Sequence, residues 1–346
     1  MNRTAVATLA LATSALMLSS SAEARSLTVA NQGGANGNAQ KAAFYRPFET
    51  QTGNTITVVE YNGEQAKVKA MVDAKHVDWD VAEVETGDLG RGCDEGMYEK
   101  LDWSKIAKKA DLIPEAVQPC GAGMFVWSTA LAYNADTLKT APTSWADFWD
   151  ETKFPGKRGM RKGARYNLEF ALMADGVAPK DVYKVLATKA GQDRAFRKLD
   201  QLKPNIQWWE AGAQPPQFLV AGDVVMSTVY NGRIDAAQKE GKNLQVVWNG
   251  SIYDVEWYVI PKGAPNRDLA EKFIAFALTE KPQQAYAKNI AYGPANLAAI
   301  KSLDPKTLAN LPNSPANSKN AVLQNMAFWT DHGDELEQRF ASWASR

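Results

Sequence analysis

Residues 252–260 combine two carboxylates with aromatic side chains in one β-prone run. Side chains alternate between the two faces of a strand, so Asp254 and Glu256 share one face while Tyr253 and Trp257 share the other. A carboxylate inside such an apolar run is costly unless it is paired. One interpretation is a structural ion pair with a Lys or Arg. The other is a face that binds a ligand cation, with Glu256 opposite an ammonium group and aromatic rings around it.

Other polar residues follow predicted strands directly. Gln32 and Gly33 come after the first strand of the chain, and Glu85 and Thr86 come after a later one. In α/β sheets, ligands bind outside the carboxyl ends of the strands, and a glycine there lets backbone amides approach the ligand. Each segment is equally compatible with an ordinary turn.

The chain lacks the residue patterns that most enzymes need. Its two histidines, His76 and His332, lie outside any metal-binding or nucleophile motif, and we interpret both as surface residues. The glycine clusters match neither the dinucleotide nor the phosphate-loop spacing. We therefore expect a protein that is not an enzyme and that holds no metal or cofactor. Because carboxylates are plentiful, a secreted hydrolase on an α/β scaffold is the alternative from another functional class.

The first 24 residues have the pattern of a cleavable signal peptide. Arg3 precedes an apolar run over residues 5–18, and Ala22-Glu23-Ala24 matches a cleavage site. The run is shorter than the ~20 apolar residues that span a bilayer. We expect the mature chain to start at Arg25 and to reside in the periplasm.

Export bears on the two cysteines, Cys93 and Cys120, because disulfides persist in oxidising compartments. We predict that they form a disulfide, which closes a loop of 27 residues (120 − 93). The alternatives are two free thiols or half of a metal site, and the wide spacing without a nearby His disfavours the metal.

The elements that position these residues alternate between strands and helices. Such an order predicts an α/β fold with a largely parallel sheet and helices on both of its faces. The first strand-like runs are residues 27–30, 56–59 and 80–84. A longer β-prone stretch, residues 124–134, is suited to running from one lobe into another. Asn249-Gly250 predicts a turn between two further strands, residues 246–248 and 252–260. Near the end of the chain, the spacing of seven, four and three residues predicts an amphipathic helix with one apolar stripe, formed by Trp329, Leu336, Phe340 and Trp343.

Length and charge bound the architecture and the partners. Without the signal peptide about 320 residues remain, more than one core usually holds, so two domains are expected. Lys plus Arg and Asp plus Glu are 39 each. This balance gives no overall field that would favour nucleic acid or an anionic membrane.

Several short segments together resemble the periplasmic spermidine/putrescine-type solute-binding proteins of ABC importers. The likeness covers nearly the whole mature chain, and the order and spacing of the segments carry it. They are Thr143-Ser144-Trp145-Ala146-Asp147-Phe148-Trp149, Phe154-Pro155-Gly156-Lys157, Ala221-Gly222-Asp223-Val224, Tyr230-Asn231-Gly232, Val247-Trp248-Asn249-Gly250, Ile260-Pro261 and Tyr292-Gly293-Pro294-Ala295-Asn296.

The resemblance implies a type II periplasmic-binding-protein fold, in which crossover hinge strands join two α/β lobes around a ligand cleft. Lobe 1 would comprise residues 25–132 plus 258–305, and lobe 2 residues 133–257 plus 306–346. The expected function is the substrate-binding component of an ABC importer. Such a protein would be a monomer, would pass a small amine-bearing solute to an inner-membrane permease and would bind no nucleic acid.

The resemblance also implies which residues line the cleft. Glu256 falls where the polyamine binders carry an aspartate that takes an amino group, and Tyr230 falls where they carry a cage tryptophan. Arg233, beside Tyr230, joins the set as a cation that a polyamine site does not need. The predicted ligand-binding residues are Gln32, Gly33, Glu85, Thr86, Arg165, Tyr166, Tyr230, Arg233, Asp254, Glu256 and Tyr292.

Departures from the family pattern leave two ligand classes open. The family's Trp-plus-acid stretch after the first strand is replaced by Gln32-Gly33-Gly34-Ala35, and its paired central acids fall near Gly163 and Tyr166, beside Arg165. One expectation is a polyamine of the putrescine/spermidine type. The alternative is an ω-amino acid such as 4-aminobutyrate. An Arg would hold its carboxylate bidentately while Glu256 holds the ammonium.

Overall fold

The computed structural model describes residues 24–346 of the chain. The predicted signal peptide, apart from Ala24, lies outside the described residues. Within them, no helix combines the length and the apolar character that crossing a membrane requires.

The described chain contains ten strands, which form one mixed sheet. Their bounds are β1 Ser26–Asn31, β2 Thr55–Glu60, β3 Val81–Glu85, β4 Gly121–Asn134, β5 Arg158–Arg161, β6 Ile206–Trp209, β7 Met226–Tyr230, β8 Leu244–Val259, β9 Gly293–Pro294 and β10 Val322–Leu323. In space the order is β2-β1-β3-β8-β4-β7-β5-β6, with β10 beside β8 and β9 beside β4. The predicted parallel pairing holds at both ends of the sheet, where β1 pairs with β2 and β3, and β5 with β6 and β7. At the centre the pairs β3–β8, β8–β4 and β4–β7 are antiparallel.

Helices follow most of the strands. They are α1 Gly34–Gln40, α2 Arg46–Thr52, α3 Gln65–Asp73, α4 Thr86–Asp94, α5 Trp103–Ile106, α6 Trp145–Trp149, α7 Asn167–Ala174, α8 Val182–Leu186, α9 Lys189–Leu202, α10 Gln214–Ala221, α11 Asn231–Lys239, α12 Arg267–Ala277, α13 Glu280–Asn289, α14 Leu297–Ser302, α15 Pro305–Ala309, α16 Pro315–Ser318 and α17 Met326–Ala344. A π-helical turn, Lys41–Tyr45, joins α1 to α2. Short 3₁₀ turns are Lys109–Asp111, Pro114–Ala116, Pro179–Asp181 and Lys203–Asn205.

Two long strands connect the two ends of the sheet. We call β1, β2 and β3 with the helices that follow them the first half, and β5, β6 and β7 with theirs the second half. β4 and β8 pair with each other over most of their length, and they contact β3 at one end and β7 at the other. The lobe boundaries predicted at residues 132/133 and 257/258 fall inside these strands and remain a prediction.

The turn predicted at Asn249-Gly250 is wrong. Both predicted strands are parts of β8, which continues through these residues along β4. Gly250 has a φ of 73°, and the register between β4 and β8 shifts between Thr129 and Leu131. Turn-forming residues here produce an irregularity that bends the strand, because the partner strand pairs on both sides of it.

The alternation predicted for the end of β8 is confirmed. Trp257 and Val259 belong to one apolar core, and Tyr258 belongs to a second core on the other face of the strand. Asp254 and Glu256 therefore share the face of Tyr258, and both are buried. Helices pack on both faces of this strand, so neither carboxylate is on the protein surface.

Two further predicted features appear in the structure. Cys93, in α4, forms a disulfide with Cys120 immediately before β4, with a Cα–Cα distance of 5.8 Å. This bridge ties the helix that follows β3 to one of the two long strands. The C-terminal α17 buries its apolar stripe, as its spacing predicts; the stripe comprises Trp329, Leu336, Phe340 and Trp343.

Candidate functional site

A small cavity lies at the centre of the sheet, where β8 passes between β3 and β4. Glu256 is the register partner of Glu85 on β3 and of Phe125 on β4, so it projects at the junction of the three strands. The cavity brings together five of the predicted ligand-binding residues, namely Gln32, Tyr230, Arg233, Glu256 and Tyr292. Four residues that were not predicted complete its wall: Asn36, Glu83, Phe125 and Trp127.

The acidic side of the cavity is formed by Glu256 and Glu83. Oε1 of Glu256 accepts a hydrogen bond from Nε2 of Gln32 at 3.0 Å. Glu256 forms no ion pair with any Lys or Arg among residues 24–346. Burial raises the pKa of Glu256 well above its usual value, and the nearby carboxylates raise it further. Glu83 differs, because its two oxygens accept hydrogen bonds from Asn36 at 2.6 Å and from Gln40 at 2.8 Å.

The basic side is formed by Arg233, which lies in the first turn of α11. Its Nη2 donates to the backbone carbonyl of Gly33 at 3.0 Å and to that of Gln32 at 3.3 Å. Its Nε is buried and has no hydrogen-bond acceptor. Within the described residues Arg233 forms no ion pair, although only 6% of the residue is exposed. A buried guanidinium without a carboxylate is a site for an anion.

Aromatic rings form much of the remaining wall of the cavity. Phe125 stacks on Tyr292 with ring centroids 4.8 Å apart, and Trp127 meets Tyr230 edge-on at 4.9 Å. The indole N–H of Trp127 is buried without an acceptor in the described structure. These faces can attract a cation, and the N–H of Trp127 lies close enough to the Glu256 carboxyl to offset part of the rise in its pKa.

The remaining predicted residues, apart from Gly33, form a second polar cluster, which lies behind the cavity and does not line it. The phenol of Tyr166 lies 3.2 Å from Oδ2 of Asp254 and 3.3 Å from Oε2 of Glu85. The hydroxyl of Thr86 donates to Asp254, and Arg165 pairs with Glu85 at 2.9 Å. The predicted residue Gly33 contributes its carbonyl to Arg233 instead of an amide to a ligand.

The two buried clusters differ in charge. Burial, together with the nearby carboxylate of Glu85, raises the pKa of Asp254 to about 7. Burial alone would raise the pKa of Glu85, but the guanidinium groups of Arg161 and Arg165 outweigh it and hold that pKa below its usual value. The ion pair considered for Asp254 and Glu256 is absent from the described structure. Instead, Glu85 is the carboxylate that carries the ion pairs.

The residues that sequence reasoning missed had only weak signals. Glu83 alternates with Glu85 along β3, which places two acids in a strand that is buried throughout. Trp127 lies in the predicted β-prone stretch, but nothing in its neighbours distinguishes a cavity wall from a core. Asn36 follows the Gly33-Gly34 pair by two residues. Among residues 24–346, no cluster of three or more His, Cys, Asp or Glu side chains could hold a metal ion.

Comparisons with known proteins bear on the same residues. A family model described as bacterial extracellular solute-binding protein matches residues 43–316. A gamma-aminobutyric acid-binding protein from Pseudomonas aeruginosa is 56% identical over 326 residues, which cover 94% of this chain and 92% of that protein. A spermidine/putrescine-binding periplasmic protein from Salmonella typhimurium is 28% identical over 275 residues, 75% of each chain.

A solved structure of a GABA receptor is 36% identical and superimposes with a TM-score of 0.82, covering 92% of this chain and 97% of the other. The similarity extends over both halves of the sheet and the two long strands between them. It confirms the predicted two-lobed α/β fold.

Proposed function

The chain belongs to the bacterial extracellular solute-binding protein family and is the solute-binding component of an ABC importer, and we propose that its ligand is a small ω-amino acid such as 4-aminobutyrate. The observation that carries this proposal is a pair of ionisable side chains on the wall of one cavity, neither of which has an oppositely charged partner. Glu256 lacks a cation and Arg233 lacks a carboxylate among the described residues, although both are buried.

A ligand with one ammonium and one carboxylate group would satisfy both charges. A buried charge is costly unless it is paired, and a guanidinium matches a carboxylate with two parallel hydrogen bonds. The Nε of Arg233 is free to make such a bond. At the other end, Glu256 would pair with the ammonium while Tyr230 and Trp127 present their rings to it.

A polyamine suits this cavity less well. A second ammonium would meet Arg233, and like charges in contact across an interface cost several kcal/mol. The similarity to known proteins points the same way, because identity is 56% with a GABA-binding protein and 28% with a spermidine/putrescine-binding one.

Four ligands that differ in their charged ends test the proposal. Calorimetry on protein that has been unfolded and refolded, to remove any ligand carried through purification, would compare 4-aminobutyrate, butylamine, butyrate and putrescine. We expect 4-aminobutyrate to bind at least about thirtyfold more tightly than the other three, since each leaves one buried charge unpaired or opposed. Tight binding of putrescine with weak binding of 4-aminobutyrate would overturn the proposal.

We further propose that the protein binds its ligand without chemical change and does so in the periplasm. Ligand recovered after prolonged incubation should be unaltered by chromatography, and a hydrolysis product would contradict this. The mature protein should start at Arg25 and appear in the periplasmic fraction. An N-terminal sequence that retains residues 1–24 would contradict the export step.

A further inference from the structure

A buried network of charges joins the two halves of the sheet beside the cavity without lining it. Nη1 of Arg165 donates to Oε2 of Glu85 at 2.9 Å and to Oδ2 of Asp88 at 3.1 Å. Nη1 of Arg161 donates to the same oxygen of Glu85 at 3.2 Å. Glu85 ends β3 and Asp88 lies in the first turn of α4, whereas Arg161 ends β5. The network therefore connects the first half to the second.

The first half is shaped to receive Arg165. A Cβ at Gly87 would lie 2.9 Å from Nη2 of Arg165 and 3.0 Å from its Cζ, so glycine at this position lets the guanidinium reach Asp88. The guanidinium also lies over the ring of Trp329 on α17, 5.7 Å from its centroid. The shape and the charge of the first half at this contact therefore both match the Arg165 side chain of the second half.

The loop that carries Arg165 is fixed at its base. The backbone N–H groups of Ala164 and Arg165 donate to the carboxylate of Glu337 on α17 at 2.8 and 3.1 Å. The next residue, Tyr166, has a φ of 71°, a left-handed conformation that a non-glycine residue keeps only when its surroundings enforce it. These contacts direct Arg165 towards the first half without any contribution from a ligand.

None of these four charged side chains lines the cavity, so their role is not direct contact with the ligand. We propose that Arg161 and Arg165 are positioning residues for ligand capture, which raise affinity by holding the two halves closed over the cavity while making no contact with the ligand. The identity of the ligand in this inference rests on the proposed function. If only the closed form is competent to bind, the apparent dissociation constant is the intrinsic one divided by the closed fraction. Weakening the network lowers that fraction and weakens binding in proportion.

Small-angle scattering and calorimetry on Arg161→Met and on Arg161→Met/Arg165→Met test the proposal, with 4-aminobutyrate as the probe. Lys162→Met is the matched control, because Lys162 follows Arg161, is exposed and pairs with Glu210 of its own half at 2.9 Å. We expect both Arg variants to be more extended than the wild type without ligand and equally compact at saturation. Affinity should fall about tenfold in the double variant. Lys162→Met should match the wild type in both measurements.

A purely structural role for the network would give a different result. Thermal stability would then fall, while the scattering of the ligand-free protein and the affinity stayed within twofold of the wild type, and that outcome overturns the proposal. If the double variant does not fold, Arg161→Met decides the question, since that side chain is partly exposed. The scattering of the ligand-free protein does not depend on the ligand's identity. If the wild type does not bind 4-aminobutyrate, the proposed function is refuted. The scattering comparison of the ligand-free proteins still tests the role of Arg161 and Arg165.

Discussion

Glu256 and Arg233 line the same cavity but do not pair with each other, because each forms hydrogen bonds with the Gln32-Gly33 segment instead. The amide of Gln32 binds Glu256, and the carbonyls of Gln32 and Gly33 bind Arg233. The backbone and the side chain of one residue therefore contact the two opposite charges. This arrangement keeps the charges apart and leaves the space between them for a ligand that carries both.

Substituting each charge separately should affect opposite ends of the ligand. Glu256→Gln should weaken 4-aminobutyrate binding by about 2–5 kcal/mol, because the ligand ammonium then lacks its partner. Arg233→Met should weaken it similarly by removing the carboxylate's partner. Butylamine distinguishes the two in calorimetry: its weak binding should be lost in Glu256→Gln and kept or improved in Arg233→Met. Equal affinity of Glu256→Gln and wild type for 4-aminobutyrate would refute the assignment of Glu256.

Binding should also release a proton from Glu256. Burial and neighbouring carboxylates raise the pKa of Glu256, so the empty cavity favours its protonated form, whereas a ligand ammonium favours the ionised form. At a pH below the raised pKa of Glu256, this proton passes to the buffer. The observed binding enthalpy should therefore be more exothermic in a buffer with a larger ionisation enthalpy, such as Tris compared with phosphate. Glu256→Gln should lose this difference, measured at ligand concentrations that compensate for its weaker binding.

At the scale of elements, the start of α1 and the start of α11 meet at the basic side of the cavity. Gly33 and Gly34 both have positive φ, 59° and 55°. A Cβ at Gly34 would clash with Nη1 of Arg233. The glycine pair that replaces the family's Trp-plus-acid stretch is thus the docking surface for a guanidinium from the other half.

Gly34→Ala should displace Arg233 and reduce the affinity for 4-aminobutyrate more than the affinity for butylamine. Gly53→Ala is the matched control, because Gly53 also has a left-handed φ, 73°, and nothing lies within 4 Å of a Cβ there. Both variants carry the backbone strain of a positive φ, so both should lose a similar amount of thermal stability. Calorimetry that finds the same loss of affinity in both variants would show that strain, and not the position of Arg233, is responsible.

The sequence was sufficient where one local pattern decides the structure. Alternation in β8 correctly placed Asp254 and Glu256 on one face, and the spacing of α17 correctly predicted its buried stripe. It failed at Asn249-Gly250, because a residue pair typical of hairpins lies in a strand whose partner continues past it. No local pattern could predict which polar residues line the cavity and which form the second polar cluster. Whether Glu85 or Glu256 faces a cavity depends on which guanidinium groups reach it from the other half.

At the scale of the whole molecule, buried carboxylates should make stability fall as pH rises. Burial raises the pKa of Asp254 and of Glu169 to about 7 each, so between about pH 4 and pH 7 the folded protein holds protons that the unfolded chain releases. Stability is then greatest at the acidic end of this window. Each group lowers the free energy of unfolding by up to about 1.4 kcal/mol per pH unit as pH rises. Glu85, whose pKa is lowered, acts in the opposite direction only at more acidic pH.

Urea unfolding of the ligand-free protein at pH 5, 6, 7 and 8 measures this dependence, and Glu169→Gln isolates one contributor. Oε1 of Glu169 accepts hydrogen bonds from Trp329 at 2.8 Å and Tyr183 at 3.1 Å, and its Oε2 has no partner. Glutamine preserves the accepting oxygen and, like the protonated acid, carries no charge. The variant should therefore resemble the wild type at pH 5 and be more stable than it at pH 8, with a shallower slope between. An unfolding free energy of the wild type that rises from pH 5 to pH 7 would show that these carboxylates stay ionised in the folded protein.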